Sequence, residues 1–269
     1  MEEASTPAGS RNSRIVGRPA GRVRRLIGGR DAQPGSWPWL GSLQKQLNGS
    51  FLHLCSVSIM NNNWALTAGH CVDNTSFPLS GYKLRFGVKN PTATSPDQQD
   101  VGISNIIIHP QWSRRGYGEP NDLALLNFDQ TLTFNEGTQP ALFNISTSST
   151  TPPESDINDC YLAGWGAEKD VNWTVPDSLQ QASTRVIPLA DCHKYLSSIQ
   201  PQQLCSINTD SPNTICHGDS GGSLVCRHDE KYVVVGVLSW STLHCPVTMP
   251  TVCTKLSSFS GWINSNVAG

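Results

Sequence analysis

The chain has 269 residues, enough for one large domain or two small ones with a sizeable buried core. Hydrophobic residues make up 37% and charged residues 15%, which is typical of a globular protein and excludes a largely disordered one. The net charge of −2 gives no reason to expect nucleic-acid or membrane-surface binding, and no apolar run approaches the about 20 residues of a membrane span.

The cysteine content indicates where the protein works. Nine cysteines are many for a cytosolic chain of this size and indicate an oxidising compartment. Four Asn-x-Ser/Thr glycosylation motifs agree, at Asn48, Asn74, Asn144 and Asn172. The first residues contain no apolar run that would serve as a secretory signal. We therefore expect a secreted or extracellular protein whose signal peptide is missing from this sequence.

In chain order, the first predicted segment is a disordered basic leader at 1–25, rich in Arg, Gly, Ser and Pro. Arginine precedes an apolar pair and glycine in two strings, RIVG at 14–17 and RRLIGG at 24–29. Each string is a candidate proteolytic cleavage site, and a solvated basic tail is the alternative interpretation.

From residue 26 onward, short apolar runs alternate with turn-forming residues, and this spacing predicts an all-β sandwich or barrel. A short helix is expected in FSGWINSNVAG at the end, and LADCHKYL is a second candidate for a helical turn. The predicted strands lie in FLHLCSVSIM, NWALTA, YKLRFGV, ISNIIIHP, LALLNFD, YLAGWG, STRVIPL, SLVC and KYVVVGVLSW.

The segment CHGDSGGSLVC, residues 216–226, carries the strongest chemical signal. Ser220 lies among glycines, which permit a tight turn and the close approach to a substrate that a nucleophile needs. The backbone N–H groups of Gly218 and Ser220 are candidates for stabilising an oxyanion. The candidate base is His70 in ALTAGHC, and the candidate orienting carboxylate is Asp122 in NDLALL. Each motif alone is more often structural, so the prediction depends on their combination.

Chain order separates two classes of serine hydrolase. GDSGG also fits the nucleophile elbow of α/β-hydrolases, in which the serine precedes the acid and the histidine. Here the order is His70, Asp122, Ser220, and too few residues follow Ser220 to complete an α/β-hydrolase sheet. This order is that of chymotrypsin.

Residues 26–269 resemble the chymotrypsin-like, or trypsin-fold, serine peptidases in their zymogen form. The resemblance rests on PGSWPWLGSLQ, WALTAGHC, NDLALL, YLAGWG, CHGDSGGSLVC, LSWS and GWI, which occur in family order. It implies an all-β fold of two six-stranded antiparallel β-barrels, with the active site in the cleft between them and a short C-terminal helix. The barrels are expected at about 26–140 and about 141–269.

The resemblance also implies a role for each candidate residue. His70 is the expected general base, Asp122 its buried partner, and Ser220 the nucleophile that forms an acyl-enzyme during peptide hydrolysis. Gly218 and Ser220 supply the expected oxyanion hole. The implied partners are protein or peptide substrates, and no metal or organic cofactor is implied.

The resemblance further implies four disulfides: Cys55–Cys71, Cys160–Cys226, Cys192–Cys205 and Cys216–Cys245. Cys253 is left over, and we expect a buried inert thiol, with an intermolecular disulfide as the alternative. Metal binding is not expected. Adjacent Cys and His residues on an extended strand point to opposite faces, and Lys89 stands where calcium-binding relatives would need a carboxylate.

Specificity follows from the expected pocket residues. In such enzymes the residue six positions before the nucleophile lies at the pocket base, and here it is Thr214. Because Thr214 carries no charge, selection of Arg or Lys is disfavoured. Ser241 and Thr251 are expected to narrow the pocket, which predicts a small or medium apolar residue before the scissile bond. The strand Ser239–Ser241, with Trp240 at its centre, is expected to pair with the substrate backbone.

Register selects the activation site. In relatives, PGSWPW begins eight residues after the new N-terminus, and here Pro34 stands eight residues after Leu26. The resemblance therefore favours cleavage after Arg25, followed by pairing of the new amino group of Leu26 with Asp219. The preceding string RVRR resembles a proprotein-convertase site, so we expect an activating protease of that class.

Departures from the family pattern keep a second hypothesis open. Val57, in a position usually occupied by glycine, is expected to add bulk near the cleft, and Ser56, Gly69 and Ser223 also differ from the usual residues. The alternative function is a catalytically impaired homologue that acts as a binding module. Nucleic-acid binding by the basic leader is a third hypothesis.

Overall fold

A computed structural model of the chain describes residues 30–74, 77–114, 118, 120–145, 159–166, 177–209, 219–241 and 248–267. Within these ranges lie β1 (Arg30–Asp31), β2 (Leu40–Leu47), β3 (Ser50–Ile59), β4 (Trp64–Thr67), β5 (Tyr82–Phe86), β6 (Gln99–Val101), β7 (Ile103–Ile108), β8 (Ala124–Phe128), β9 (Leu142–Phe143), β10 (Cys160–Gly164), β11 (Gln180–Ile187), β12 (Gln203–Asn208), β13 (Ser223–His228), β14 (Lys231–Trp240) and β15 (Thr251–Lys255). The helices are α1 (Leu189–Cys192) and α2 (Ser260–Val267).

Six strands of the second half form a closed antiparallel barrel. They pair in the order β11, β10, β13, β14, β15, β12, and β12 pairs again with β11 to close the ring. β14 begins in solvent and then becomes almost continuously buried, as its run of Val and Leu predicts. The barrel interior contains Leu162, Leu204, Leu224 and Cys253.

The first barrel is a seven-stranded antiparallel sheet in the order β6, β5, β2, β3, β4, β8, β7. The two end strands, β6 and β7, follow each other in the chain with only Gly102 between them. β6 pairs with β5, and β7 pairs with β8. If β6 and β7 are counted as one bent strand, the sheet is a ring of six strands. In β5, Tyr82, Leu84 and Phe86 alternate with partly exposed residues, as the period of two predicts. The predicted all-β architecture and short C-terminal helix are confirmed.

Segments from both ends of the described chain cross to the opposite barrel. β1 pairs with β11 of the second barrel, with Arg30 opposite Gln181. Helix α2 and Phe259, which precedes it, pack on the first barrel, where the ring of His109 lies 5.0 Å from the ring centroids of both Phe259 and Trp262. The two barrels are therefore held together by the chain as well as by their contact surface.

Aromatic side chains fill part of the contact between the barrels. Trp37 packs edge-on against Trp39 and Tyr232, and its indole N–H donates to Oε1 of Gln181 at 2.9 Å. Tyr232 also packs against Tyr161. Burial in this cluster raises the pKa of Tyr232 to about 12. These rings remove a large apolar area from water where the two barrels meet.

The position of Val57 corrects one expectation. Its side chain is fully buried in the first barrel, opposite Gly41 on β2, and does not add bulk to the cleft. Side chains alternate along a strand, and this register points Val57 inward. A second departure, Ser223, is buried and shares a hydrogen bond of 2.5 Å with the hydroxyl of Ser58 on the other barrel.

Three of the expected disulfides are present, Cys55–Cys71, Cys160–Cys226 and Cys192–Cys205. Cys253 is a fully buried free thiol, and burial raises its pKa. The expected bridge Cys216–Cys245 lies outside the described residues, as do Arg25, Leu26, Thr214, Gly218 and Asn172. Among the residues that are described, no helix has the length and apolar character to cross a membrane.

Candidate active site

His70 lies in a single turn of 3-10 helix, Gly69–Cys71, which directly follows β4. The disulfide from Cys71 to Cys55 ties this turn to β3. The His70 side chain is 28% exposed, so one edge of the ring reaches solvent while the other faces the protein. This is the arrangement that a proton-transferring imidazole needs.

Asp122 is 2% exposed and accepts three hydrogen bonds. Nδ1 of His70 lies 2.7 Å from Oδ2, and the backbone N–H of His70 donates to Oδ1 at 2.8 Å. The hydroxyl of Ser239 donates to Oδ2 at 2.5 Å. Because an ionised carboxylate only accepts, Nδ1 of His70 carries the hydrogen and leaves Nε2 free to accept a proton. A buried carboxylate requires such donors, since an unpartnered one is very costly.

Sequence reasoning missed the role of Ser239. The expectation was that the strand Ser239–Ser241 contacts substrate through its backbone, whereas the structure places the Ser239 hydroxyl on Asp122. The carbonyl of Asp122 also accepts from the hydroxyl of Thr254 at 2.8 Å. Both hydroxyls come from the second barrel, more than a hundred residues further along the chain. No local sequence signal points to either contact.

Ser220 lies in a tight turn held by both barrels. The N–H of Gly222 donates to the carbonyl of Asp219, and the N–H of Gly221 donates to the carbonyl of Leu238. From the first barrel, the N–H of Ser56 donates to the carbonyl of Ser220 at 2.8 Å. Hydrogen bonds from both barrels therefore fix the turn that contains Ser220.

Gly221 brings the serine turn against the histidine turn. Its φ is +80°, and a Cβ at this position would lie 2.2 Å from Oγ1 of Thr67 and 2.3 Å from the carbonyl oxygen of Ser56. Thr67 ends β4 and stands three residues before His70. The structure therefore places His70, Asp122 and Ser220 in one region at the seam between the barrels.

Asp219, the expected partner of the activated N-terminus, is 8% exposed. Its carboxylate accepts the N–H of Gly166 at 2.8 Å. A Cβ on Gly164 would lie 1.9 Å from Oδ1, and one on Gly166 would lie 2.1 Å from Oδ2. These two glycines leave the space that the carboxylate occupies.

Part of the expected pocket is described. Trp240 contacts Gly118, and Thr251 is 4% exposed and pairs with Ser206 on β12. Ser241 stands next to Trp240 and is partly buried. Within the described ranges, neither Nε1 of Trp240 nor Oγ of Ser241 has a hydrogen-bond partner. Thr214 and Gly218, the expected pocket base and oxyanion donor, lie outside the described residues.

A cluster of metal-binding atom types occurs beside the candidate base. The side-chain donors of Cys55, His70 and Cys71 lie within 4.8 Å of one another. The two sulfurs are bonded to each other, so neither is available as the thiolate that binds a metal. The cluster is explained by the disulfide.

The fold and site define a two-barrel β protein with a hydrogen-bonded Asp–His pair close to a glycine-rich serine turn, and comparisons with known proteins agree. The family model described as Trypsin matches residues 26–263. The chain therefore belongs to the trypsin family and is a serine endopeptidase.

Several similar proteins are elastases by name. Chymotrypsin-like elastase family member 1 of Canis lupus familiaris is 33% identical over 252 residues, which cover 91% of this chain and 93% of the relative. The protein of the same name from Macaca fascicularis is 34% identical over 252 residues, covering 91% and 90%. Chymotrypsin-like elastase family member 3B of Macaca mulatta is 33% identical over 256 residues, covering 91% and 94%.

Proposed function

We propose that this serine endopeptidase cleaves proteins through an acyl-enzyme formed on Ser220. The hydroxyl oxygen of Ser220 attacks the scissile carbonyl carbon while Nε2 of His70 takes the hydroxyl proton. That proton then passes to the departing amine, and a water activated by His70 releases the acyl group. The backbone N–H groups of Gly218 and Ser220 stabilise the oxyanion in both halves of the reaction.

The observation that supports this proposal is that the buried carboxylate of Asp122 accepts hydrogen bonds from both Nδ1 and the backbone N–H of His70. An aspartate held in this way fixes the ring orientation and the tautomer that a general base requires. Asp122 also stabilises the imidazolium formed during the reaction.

The test is labelling of the activated protein by a fluorophosphonate, which reacts with an activated serine. We expect the wild type to be labelled at Ser220 and both S220A and H70A to remain unlabelled. If the activated wild type is not labelled while its N-terminus is correctly cleaved, the binding-module alternative replaces the proposal. The structure weakens that alternative, because Val57 points into the barrel and Ser223 is hydrogen-bonded.

We propose a preference for small or medium apolar residues before the scissile bond. Thr214 brings no charge to the pocket base, and Ser241 and Thr251 narrow its walls. The elastase names of the relatives support the same preference. A peptide library cleaved by the activated protein checks it, and a profile dominated by Arg or Phe at that position overturns it.

Activation is proposed to follow cleavage after Arg25 by a proprotein-convertase-like protease. The freed amino group of Leu26 then pairs with the buried carboxylate of Asp219. The expected result is that R25A accumulates as an uncleaved and unlabelled precursor. If R25A still matures to the same N-terminus and activity, the assignment of the junction is wrong.

Three disulfides support the proposal that the protein is secreted. Asn48 is the proposed glycosylation site with the clearest exposure, since it lies with Gly49 and Ser50 at the exposed tip of the β2–β3 hairpin. A mobility shift that is removed by a glycosidase and by N48Q is expected. The absence of that shift in protein secreted from a glycosylating cell would exclude Asn48.

A further inference from the structure

The segment after β7 crosses the outer side of the histidine turn. Trp112 lies against Gly69, where a Cβ would be 3.3 Å from Cδ1 of the indole. The indole N–H of Trp112 donates to Oδ2 of Asp73 at 3.2 Å. Asp73 is three residues after His70 and is 15% exposed, so this segment and the end of the histidine turn share a carboxylate.

Arg114 makes the strongest contacts of this segment. Nε donates to Oδ2 of Asp73 at 2.8 Å, and Nη2 donates to Oδ1 at 2.7 Å. The same Nη2 also donates to the backbone carbonyl of His70 at 2.8 Å. A two-point guanidinium–carboxylate pair has a defined geometry that an ammonium group does not reproduce. Asp73 therefore aims the guanidinium of Arg114 at the peptide unit of His70.

His70 is consequently held at both of its peptide groups. Its N–H donates to Asp122 and its carbonyl accepts from Arg114. Asp122 holds the ring as well, but it holds the backbone only on the N-terminal side of the residue. The contact from Arg114 fixes the C-terminal side of the same residue.

We propose that Arg114 and Asp73 are positioning residues for the general base. They do not touch the reacting atoms, and they act through the backbone of His70. The inference rests on the proposed role of His70. Its physical basis is that proton transfer requires a narrow range of distances, and a misplacement of about 1 Å costs up to about 100-fold in rate.

The contribution of this pair to folding stability is limited by solvent screening. The Arg114 side chain is 64% exposed, although Asp73 is only 15% exposed. Removing Arg114 should therefore change catalysis more than thermal stability. This difference separates a positioning role from a structural one.

The chain offers a matched control on the same barrel. Nε and Nη2 of Arg85 both donate to Asp100 at 2.8 Å, and Nη1 donates to the carbonyl of Pro91 at 3.1 Å. Burial alone would raise the pKa of Asp100, but hydrogen bonds from Arg85 and Lys83 outweigh it and lower the pKa. Arg85 thus repeats the fork and carbonyl contact of Arg114 without touching the histidine turn.

The experiment compares R114A, R114K and R85A in the activated full-length protein. For R114A we expect an about 10-fold lower kcat on a peptide amide and an equally slower labelling by an uncharged fluorophosphonate, with KM changed less than about two-fold. R114K keeps the charge but not the fork, so an intermediate loss is expected. R85A should lower the melting temperature without slowing labelling.

A double-mutant cycle completes the test. If Asp73 acts by aiming Arg114, then D73N should lower kcat in the same direction, and R114A/D73N should be no worse than the poorer single variant. Additive losses, or normal labelling of R114A, overturn the positioning role. A rise in KM confined to acidic substrates would instead make Arg114 a substrate contact and also overturn it. The labelling of S220A and H70A does not depend on any of these outcomes, so it tests the proposed function separately.

Discussion

The hydroxyl of Ser239 and the ring of His70 meet on the same oxygen of Asp122. Oδ2 receives Ser239 at 2.5 Å and faces Nδ1 of His70 at 2.7 Å. The second barrel thereby contributes a donor to a carboxylate and an imidazole that both come from the first. The relative position of the barrels is thus part of what orients the base.

Removing this donor should slow catalysis. We expect S239A to lower kcat/KM by about 10-fold or more, since a hydrogen bond to a charged group is worth roughly 1.5–3 kcal/mol. T184V is the control, because it also removes a buried hydroxyl donor. The hydroxyl of Thr184 donates to the carbonyl of Ile207 and not to Asp122. Equal activity losses in S239A and T184V would contradict a specific role for Ser239.

A second prediction concerns the serine turn. G221A should destabilise the fold and abolish labelling of Ser220, because a Cβ meets the Ser56 carbonyl at 2.3 Å as well as facing a φ of +80°. Gly49 has a similar φ of +84° with nothing within 4 Å, so G49A isolates the conformational cost. We expect G49A to lose only about 1–2 kcal/mol of unfolding free energy and to keep its activity. Similar losses in the two variants would show that the close contacts at Gly221 do not matter.

A third prediction concerns the effect of pH on stability. Burial lowers the pKa of His109 below its ordinary 6.5, so the unfolded chain binds a proton that the folded chain does not. His109 therefore contributes stability above about pH 6.5, and this contribution is lost as the pH falls below that value. Melting temperatures measured at about pH 7.5 and about pH 5.5 should differ more for the wild type than for H109Q. H193Q, a change at an exposed histidine, should behave like the wild type, and an unchanged pH dependence in H109Q would refute the role of His109.

A fourth prediction concerns the unpaired cysteine. Cys253 is 0% exposed, and its raised pKa disfavours the reactive thiolate. The native protein should not react with an aromatic disulfide reagent, and the Cys253 thiol should react after denaturation. C253A should remove that thiol and leave Ser220 labelling in place. Rapid reaction of the native protein, or a dimer that dissociates on reduction, would point to the intermolecular alternative.

The sequence was most informative about features that short segments of the chain encode. Short apolar runs between turn-forming residues, such as YKLRFGV and KYVVVGVLSW, predicted strands, and the structure has β5 and β14 there. The order of His70, Asp122 and Ser220 selected the two-barrel fold over the α/β-hydrolase fold. Both inferences needed only short segments of sequence.

Contacts that depend on how distant strands meet were not predicted. Ser239 and Asp122 are 117 positions apart, and only the packing of two barrels brings them together. Val57 was expected near the cleft, although the register of β3 against β2 turns it inward. The sequence did not distinguish Arg114 from the other basic residues, because its proposed positioning role depends on the orientation that Asp73 imposes on its guanidinium.

The crossing of the chain between the barrels has a consequence for biosynthesis. Asp31 bonds to Gln180, 149 positions away, and the rings of Phe259 and Trp262 close on His109 of the first barrel. During translation, the first barrel leaves the ribosome long before helix α2, which packs against His109, has been synthesised. Until then the first barrel is incomplete. Pairings this distant in sequence also slow folding. Once the chain is complete, neither barrel can melt without losing a segment that the other supplies, and unfolding should proceed as a single cooperative event.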